Sequence, residues 1–219
     1  MIPAVLVGAV AYANEILTRE GVTLCVPERN IFHPSGAGLP KFHGREPLLI
    51  FKFLAHEVAA VIPSYVSQRE KAQLDLIGEL DVLSDAQRER TLAINNYEDL
   101  WTGTGAFQNW QTTFNKDLGL FKASPQGEEN PKNWVLLNVF PDASRPMPKS
   151  QFEFVVATCH ATDVPMHDGV KRVGSCGRRI FFDRITIDYS LHAENSRHIF
   201  QIDALLKEKV MSWKSACQQ

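Results

Sequence analysis

The sequence predicts a single α+β domain in which an antiparallel sheet of long strands is covered by helical layers. Three observations lead there. Helical spacing of apolar residues dominates residues 1–119, a period of two dominates residues 133–191, and helical spacing returns over 196–214. Helices first and strands later belong to an α+β architecture rather than an alternating parallel one. At 219 residues the chain is long enough for one domain with a sizeable core.

In chain order, residues 2–18 fit a first helix, with Ile2, Val5, Leu6, Ala9, Ala13, Ile16 and Leu17 on one stripe and Gly21 as its stop. Val22 to Val26 is a short β-type run. Residues 27–47 hold four prolines and expose His33 and His43 without a ligand spacing. Residues 48–62 are apolar almost all round, broken by Lys52, His56 and Glu57, and predict a buried helix ended by Pro63. Leu74, Ile77, Leu80 and Leu83 suggest the buried stripe of a second helix over 64–83. Ser84 and Gln87 form a capping-box signature that opens a helix through Leu100. A shorter helix follows over 106–118. Residues 122–132 are a polar connector. Strands are predicted over 134–140 and 152–161, and a long one over 179–191, joined by a loop at 163–178. The last strand starts apolar on both faces, at Ile180 and Phe182, and so needs a cover, for which the helix over 48–62 is the candidate. Ser196 caps a closing helix with Ile199, Ile202, Leu205, Leu206, Val210 and Trp213 at helical spacing.

Composition narrows the function classes. A net charge of −2 gives no basic field, so no nucleic-acid partner is expected. The four cysteines are scattered too widely for a small disulfide framework, so mostly reduced thiols are expected. Ala11-Tyr12-Ala13 mimics a signal-peptidase site, but no Lys or Arg precedes the apolar run, which favours a buried first helix over a leader. No stretch reaches the ~18–20 apolar residues of a membrane-spanning helix. A soluble protein is expected, either cytoplasmic or secreted without a cleavable signal.

No complete catalytic or cofactor motif appears, and the reading leans away from an enzyme. His56-Glu57 begins a zinc-protease pattern, but Ala60 stands where the second histidine belongs. Gly103-Thr104-Gly105 follows a helix rather than a strand, unlike a dinucleotide loop. Cys159, His160, His167, Asp168 and Cys176 could supply metal ligands, yet neighbouring strand residues point to opposite faces, and no metal is expected. The 163–178 loop is the stronger candidate. It concentrates Lys171, Arg172, Arg178 and Arg179 into a cationic patch suited to phosphate or an anionic lipid headgroup. Cys176, between Ser175 and Gly177, reads as an exposed thiol with its thiolate favoured by the arginines. His56, with Lys52 one turn before it on the apolar helix, is a candidate pH trigger for helix release.

Asn133-Trp134-Val135, the long strands after it and the closing helix resemble the Cyt-type cytolytic toxins, and an acylated bacterial virulence factor of similar build. The resemblance implies helical layers around a sheet and a membrane-interacting protein, soluble until it meets lipid. It further implies anionic lipid as partner, an oligomer on the membrane and a fatty acyl group on Cys176, with no other cofactor. At ~1.5 Å per residue the helix over 48–62 reaches roughly 22 Å, short of the ~30 Å hydrocarbon core, so strands would have to do any spanning. The alternative is a soluble enzyme or partner-binding protein with its site in the 163–178 loop, at Cys176 and His167. A plain non-catalytic binder, such as an effector or an immunity-type protein, is the baseline.

Overall fold

Leu49, Phe51 and Phe53 are buried while Ile50 and Lys52 between them are half-buried, and that alternation decides the first part of the chain. The stretch 48–62 is not one helix. It is an edge strand followed by a seven-residue helix. The computed structural model describes residues 14–33, 46–68, 74–166 and 169–217. Its strands are β1 (Asn14–Arg19), β2 (Val22–Pro27), β3 (Leu49–Phe53), β4 (Leu76–Val82), β5 (Trp110–Asn115), β6 (Leu120–Pro125), β7 (Asn133–Leu137), β8 (Val155–Met166), β9 (Gly169–Phe182) and β10 (Ile185–His192). Its α-helices are α1 (Ala55–Val61), α2 (Asp85–Ala93), α3 (Glu98–Thr102) and α4 (Ile199–Ala216).

Eight of these strands form one antiparallel sheet in the order β3-β4-β10-β9-β8-β7-β6-β5, and β1 and β2 form a separate hairpin. The α+β class and the single domain therefore hold, but the sheet takes in much of what the apolar pattern assigned to helices. Among the described residues, the helix expected over 2–18 ends as β1. Gly21 (φ 75°), with Glu20 (φ 51°), turns a two-residue hairpin rather than stopping a helix. The stripe Leu74-Ile77-Leu80-Leu83 runs through β4, and the helix over 106–118 is replaced by β5. The long strand over 179–191 is broken at Asp183 (φ 55°) and Arg184, where β9 turns into β10 with Phe182 opposite Ile185. Residues 163–166 and 169–178 are no loop. They belong to β8 and β9, whose pairing continues to Met166 opposite Gly169.

One face of the sheet carries the core. Leu49, Phe51, Phe53, Leu76, Leu80, Val82, Ile180, Ile185, Ile187 and Leu191 pack there against Ile199, Ile202, Leu205, Leu206, Val210 and Trp213 of α4, all six of them buried. Phe53 stacks on Trp213 with ring centroids 6.1 Å apart. The cover for Ile180 is thus α4, and the stretch 48–62 lies within the sheet and at its end. Gly78 is required here. A Cβ would sit 2.4 Å from the Phe51 ring and 2.5 Å from the Asp188 carbonyl oxygen. A buried ion pair also lies on this face, where Arg178 donates through Nε to both Asp203 oxygens at 3.0 Å and through Nη2 at 2.6 Å. The Tyr189 hydroxyl donates to the same carboxylate at 2.7 Å. Burial alone would lower the Arg178 pKa, but the Asp203 carboxylate holds it above its usual value.

The capping box forms as predicted. The Ser84 hydroxyl accepts from the Gln87 N–H and the Gln87 side chain accepts from the Ser84 N–H, although α2 ends at Ala93 rather than Leu100. The closing helix is entered through a 3-10 turn, Ala193–His198, so Ser196 is not its cap. The cysteines differ from expectation as well. Cys25 is bonded to Cys217 and Cys159 to Cys176, and none is free. The first bridge ties β2 to the end of α4 and the second joins directly opposed residues of β8 and β9.

Candidate functional site: a cleft on the second face of the sheet

Side chains alternate along each strand, so the residues between the core positions turn to the other face of the sheet. At the β5–β8 end that face is closed by a second small core, in which Leu100, Trp101 and Phe154 pack on Ala123, Val135 and Leu137. Toward β4 and β10 it stays open, as a cleft of about 530 Å³. Register places Glu79 beside Ile50 on one side and Asp188 on the other, Asp188 opposite Arg179, and Gly177 between Thr158 and Ser190. All of these residues line the cleft, with Tyr97, Gln151 and Phe152 as its wall.

The wall is held in place. The Gln151 side chain accepts from the Asn96 N–H at 2.8 Å, which fixes the segment between α2 and α3 against residues 151–153. The Tyr97 hydroxyl bonds Thr158, although burial still raises its pKa. Across the floor, Arg179 makes a two-pronged contact with Asp188, Nε to Oδ1 and Nη2 to Oδ2 at 3.0 Å, and its guanidinium lies over the Phe152 ring. Phe152 in turn meets Phe181 edge-on at 4.9 Å.

Glu79 is different. The cleft burial and the neighbouring Asp188 and Asp81 carboxylates raise its pKa, and Arg179 opposes them only in part. Arg179 is committed to Asp188, and Asp81 is paired with Arg19. Glu79 has neither ion pair nor hydrogen bond among the described residues.

The residues singled out by sequence do not gather into one patch. Arg178 and Arg179 point to opposite faces of β9, the first into the α4 core and the second into the cleft. Lys171 and Arg172 belong to the distal arm of the β8–β9 hairpin, opposite Val164 and Asp163. His167 and Asp168 lie outside the described residues, as does His43. Cys176 is fully buried and bonded to Cys159, so the exposed thiol expected at a loop tip is not there; a disulfide sulfur has no thiolate to accept an acyl group. His160 is exposed, with Nε2 3.1 Å from the Ser175 hydroxyl. Lys52 pairs with Asp75 at 2.8 Å, and His56 is exposed on α1, not enclosed in an apolar helix. Among the described residues no group of three or more His, Cys, Asp or Glu is placed to hold a metal ion. Nor is any helix there long and apolar enough to cross a membrane.

Sequence reasoning missed Glu79, Asp188 and Ser190 as a set. A signal was present: they alternate with apolar residues on runs read as a helix stripe and as the polar side of a strand.

Fold and cleft define an α+β sheet protein with a preformed, largely apolar recess lined by a carboxylate, Glu79, that has no ion pair among the described residues. Neither the family models nor the curated proteins contain a match to this chain. Among solved structures, the chain is similar to an immunity protein of the Stenotrophomonas maltophilia type IV secretion system. The TM-score is 0.50 at 7% identity, over 92% of this chain and 93% of that one. At that identity the likeness concerns the fold. It corrects the resemblance drawn from Asn133-Trp134-Val135, because nearly the whole chain follows the fold of an immunity protein and not that of a Cyt-type cytolytic toxin. The membrane-active reading, with its toxin, virulence and lipid-binding assignments, is corrected with it. Its releasable helix over 48–62 is in fact a strand of the sheet plus a short helix.

Proposed function

We propose that this chain is a partner-binding protein of the immunity type, which neutralises a protein toxin by docking on it through the cleft between β4, β10, β9 and the Tyr97–Phe152 wall. The observation that carries this reading is the cleft's preorganisation. Its floor is sheet backbone, its charges Arg179 and Asp188 are locked together, and its wall is hydrogen-bonded in place. A partner therefore meets side chains whose ordering cost is already met, which favours affinity. The fold shared with an immunity protein supports the same reading. A specific interface buries ~800 Å² per partner, more than such a recess offers, so the cleft serves as the anchor pocket within a wider contact. Two disulfides and no free cysteine suit an encounter in an oxidising compartment.

Gly177 supplies the test. A Cβ there meets only Thr158 atoms at 3.9 Å, so a side chain at 177 starts at ordinary contact distance on the cleft side of the sheet, and Gly177→Leu places its bulk on the cleft floor. The immobilised wild-type chain should retain a protein from lysate or secreted fractions that Gly177→Leu does not. Co-production of the wild type, but not the variant, should restore growth to cells poisoned by that protein. Equal retention and equal protection by Gly177→Leu would reject the cleft as the contact surface.

A further inference from the structure

We infer that the cleft receives an arginine side chain of the partner, with its guanidinium on Glu79 and its stem along Ile50 and Ile77. This inference rests on the partner-binding reading and deepens it.

The charges lining the cleft give the argument. Arg178 is spent on Asp203 on the far side of the sheet and Arg179 on Asp188. Glu79 is the lining charge left without ion pair or hydrogen bond among the described residues. It is half-buried, with an aliphatic residue opposite it on β3 and a second carboxylate opposite it on β10. An ionised carboxylate so placed is destabilising for the free chain unless a cation arrives, and its elevated pKa is consistent with that. The arriving group must be positive, because the lining charge left without an ion pair among the described residues, Glu79, is negative. It must also tolerate desolvation, because Ile50, Ile77, Val155, Tyr97 and Phe152 give the recess a mainly apolar lining. A guanidinium is more weakly hydrated than an ammonium, presents a planar fork to a carboxylate and stacks on aromatic rings, which favours arginine over lysine. Arginine is also enriched among the few residues that dominate protein interfaces. Asp188, opposite Glu79 and already two-pronged on Arg179, positions the acceptor field rather than competing for the ligand.

The experiment titrates the folded full-length chain with N-acetyl-arginine methylamide and follows backbone amide shifts by NMR. The matching lysine amide and the neutral citrulline amide are run in parallel. Millimolar, saturable binding is expected for a single side chain, with shifts confined to the segments around Glu79, Asp188, Ser190 and Thr158. Citrulline amide and the Glu79→Gln variant should each weaken it by about tenfold or more. Gly177→Leu should abolish it. Absence of saturable shifts up to about 50 mM, a concentration well above a millimolar Kd, would overturn the inference. So would equal binding of citrulline amide, equal binding of lysine amide, or indifference to Glu79→Gln. Partner retention separates the two levels. If Gly177→Leu loses the partner while Glu79→Gln keeps it at full affinity, the docking surface stands and the arginine assignment falls. If Gly177→Leu keeps the partner, the docking reading itself falls, whatever the arginine titration gives.

Discussion

Asp203→Ala should be among the most damaging single substitutions in the chain. The side chains of Arg178 and Asp203 are only 13% and 10% exposed, and the carboxylate accepts from Arg178 Nε and Nη2 and from the Tyr189 hydroxyl. Removing it leaves a buried guanidinium with the Val156 carbonyl as its remaining acceptor, and the Tyr189 hydroxyl with the Ile199 carbonyl at 3.3 Å. Breaking a buried pair from one side costs about 3–5 kcal/mol, because the other charge stays buried and uncompensated. For a domain of this size that is roughly 6–20 °C in Tm. The double variant Arg178→Met/Asp203→Leu removes both charges, and with them the desolvation cost, so it should recover most of the loss. Urea denaturation at neutral pH, comparing midpoints at a common m-value, reads both effects. A loss under about 1 kcal/mol for Asp203→Ala would match a solvent-exposed pair and refute the buried-pair reasoning. A double variant no more stable than the single one would refute it too.

Three further outcomes follow from the same geometry. Gly78→Ala should destabilise by about 1–3 kcal/mol through overpacking against the Phe51 ring and the Asp188 carbonyl, read as a lower urea midpoint. Glu79→Gln should stabilise the free chain at neutral pH. The native pKa of Glu79 is raised, so its contribution is favourable below the unfolded-state pKa and is lost as pH rises through the native one. The gain from Gln should therefore shrink as a series of thermal melts descends into the acid range, and a pH-independent gain would contradict the assignment. Reduction should lower Tm, most of all through Cys25–Cys217, whose sequence separation is 192 residues. The chain-entropy model gives about 5 kcal/mol for a loop of that length, and Cys25→Ser/Cys217→Ser should reproduce the loss without reductant.

The capping box at Ser84 and the amphipathic helix α4 were legible because their signals are local: a cap is closed within four residues, and the spacing from Ile199 to Trp213 fits a helix alone. The strands β3 and β4 were not. Leu49, Phe51 and Phe53 face the core, but Ile50 between them is apolar too because it lines the cleft, so the period of two vanished into a continuous apolar run. In and beside β4 the residues Leu74, Ile77, Leu80 and Leu83 imitate a helical stripe, although Leu80 packs in the core and Ile77 lines the cleft. The arms of β8 and β9 past Ala161 read as a loop because Gly169, Gly174, Gly177 and the charged residues lack strand propensity; cross-strand pairing supplies what propensity does not. The candidate site was the least legible. Its residues come from β3, β4, β8, β9, β10 and the segments at Tyr97 and Phe152, and only the register of the sheet brings Glu79 beside Asp188. The cations that did form a run in sequence, Arg178 and Arg179, are separated by the strand itself.

The affinity of the captured partner for Gly177→Leu against wild type, with Thr113→Leu on the exposed edge strand β5 as control, tests the central claim most directly. Docking through the cleft predicts that Gly177→Leu loses tenfold or more in Kd, about 1.4 kcal/mol, while Thr113→Leu binds as wild type. Wild-type affinity in a folded Gly177→Leu chain would contradict it.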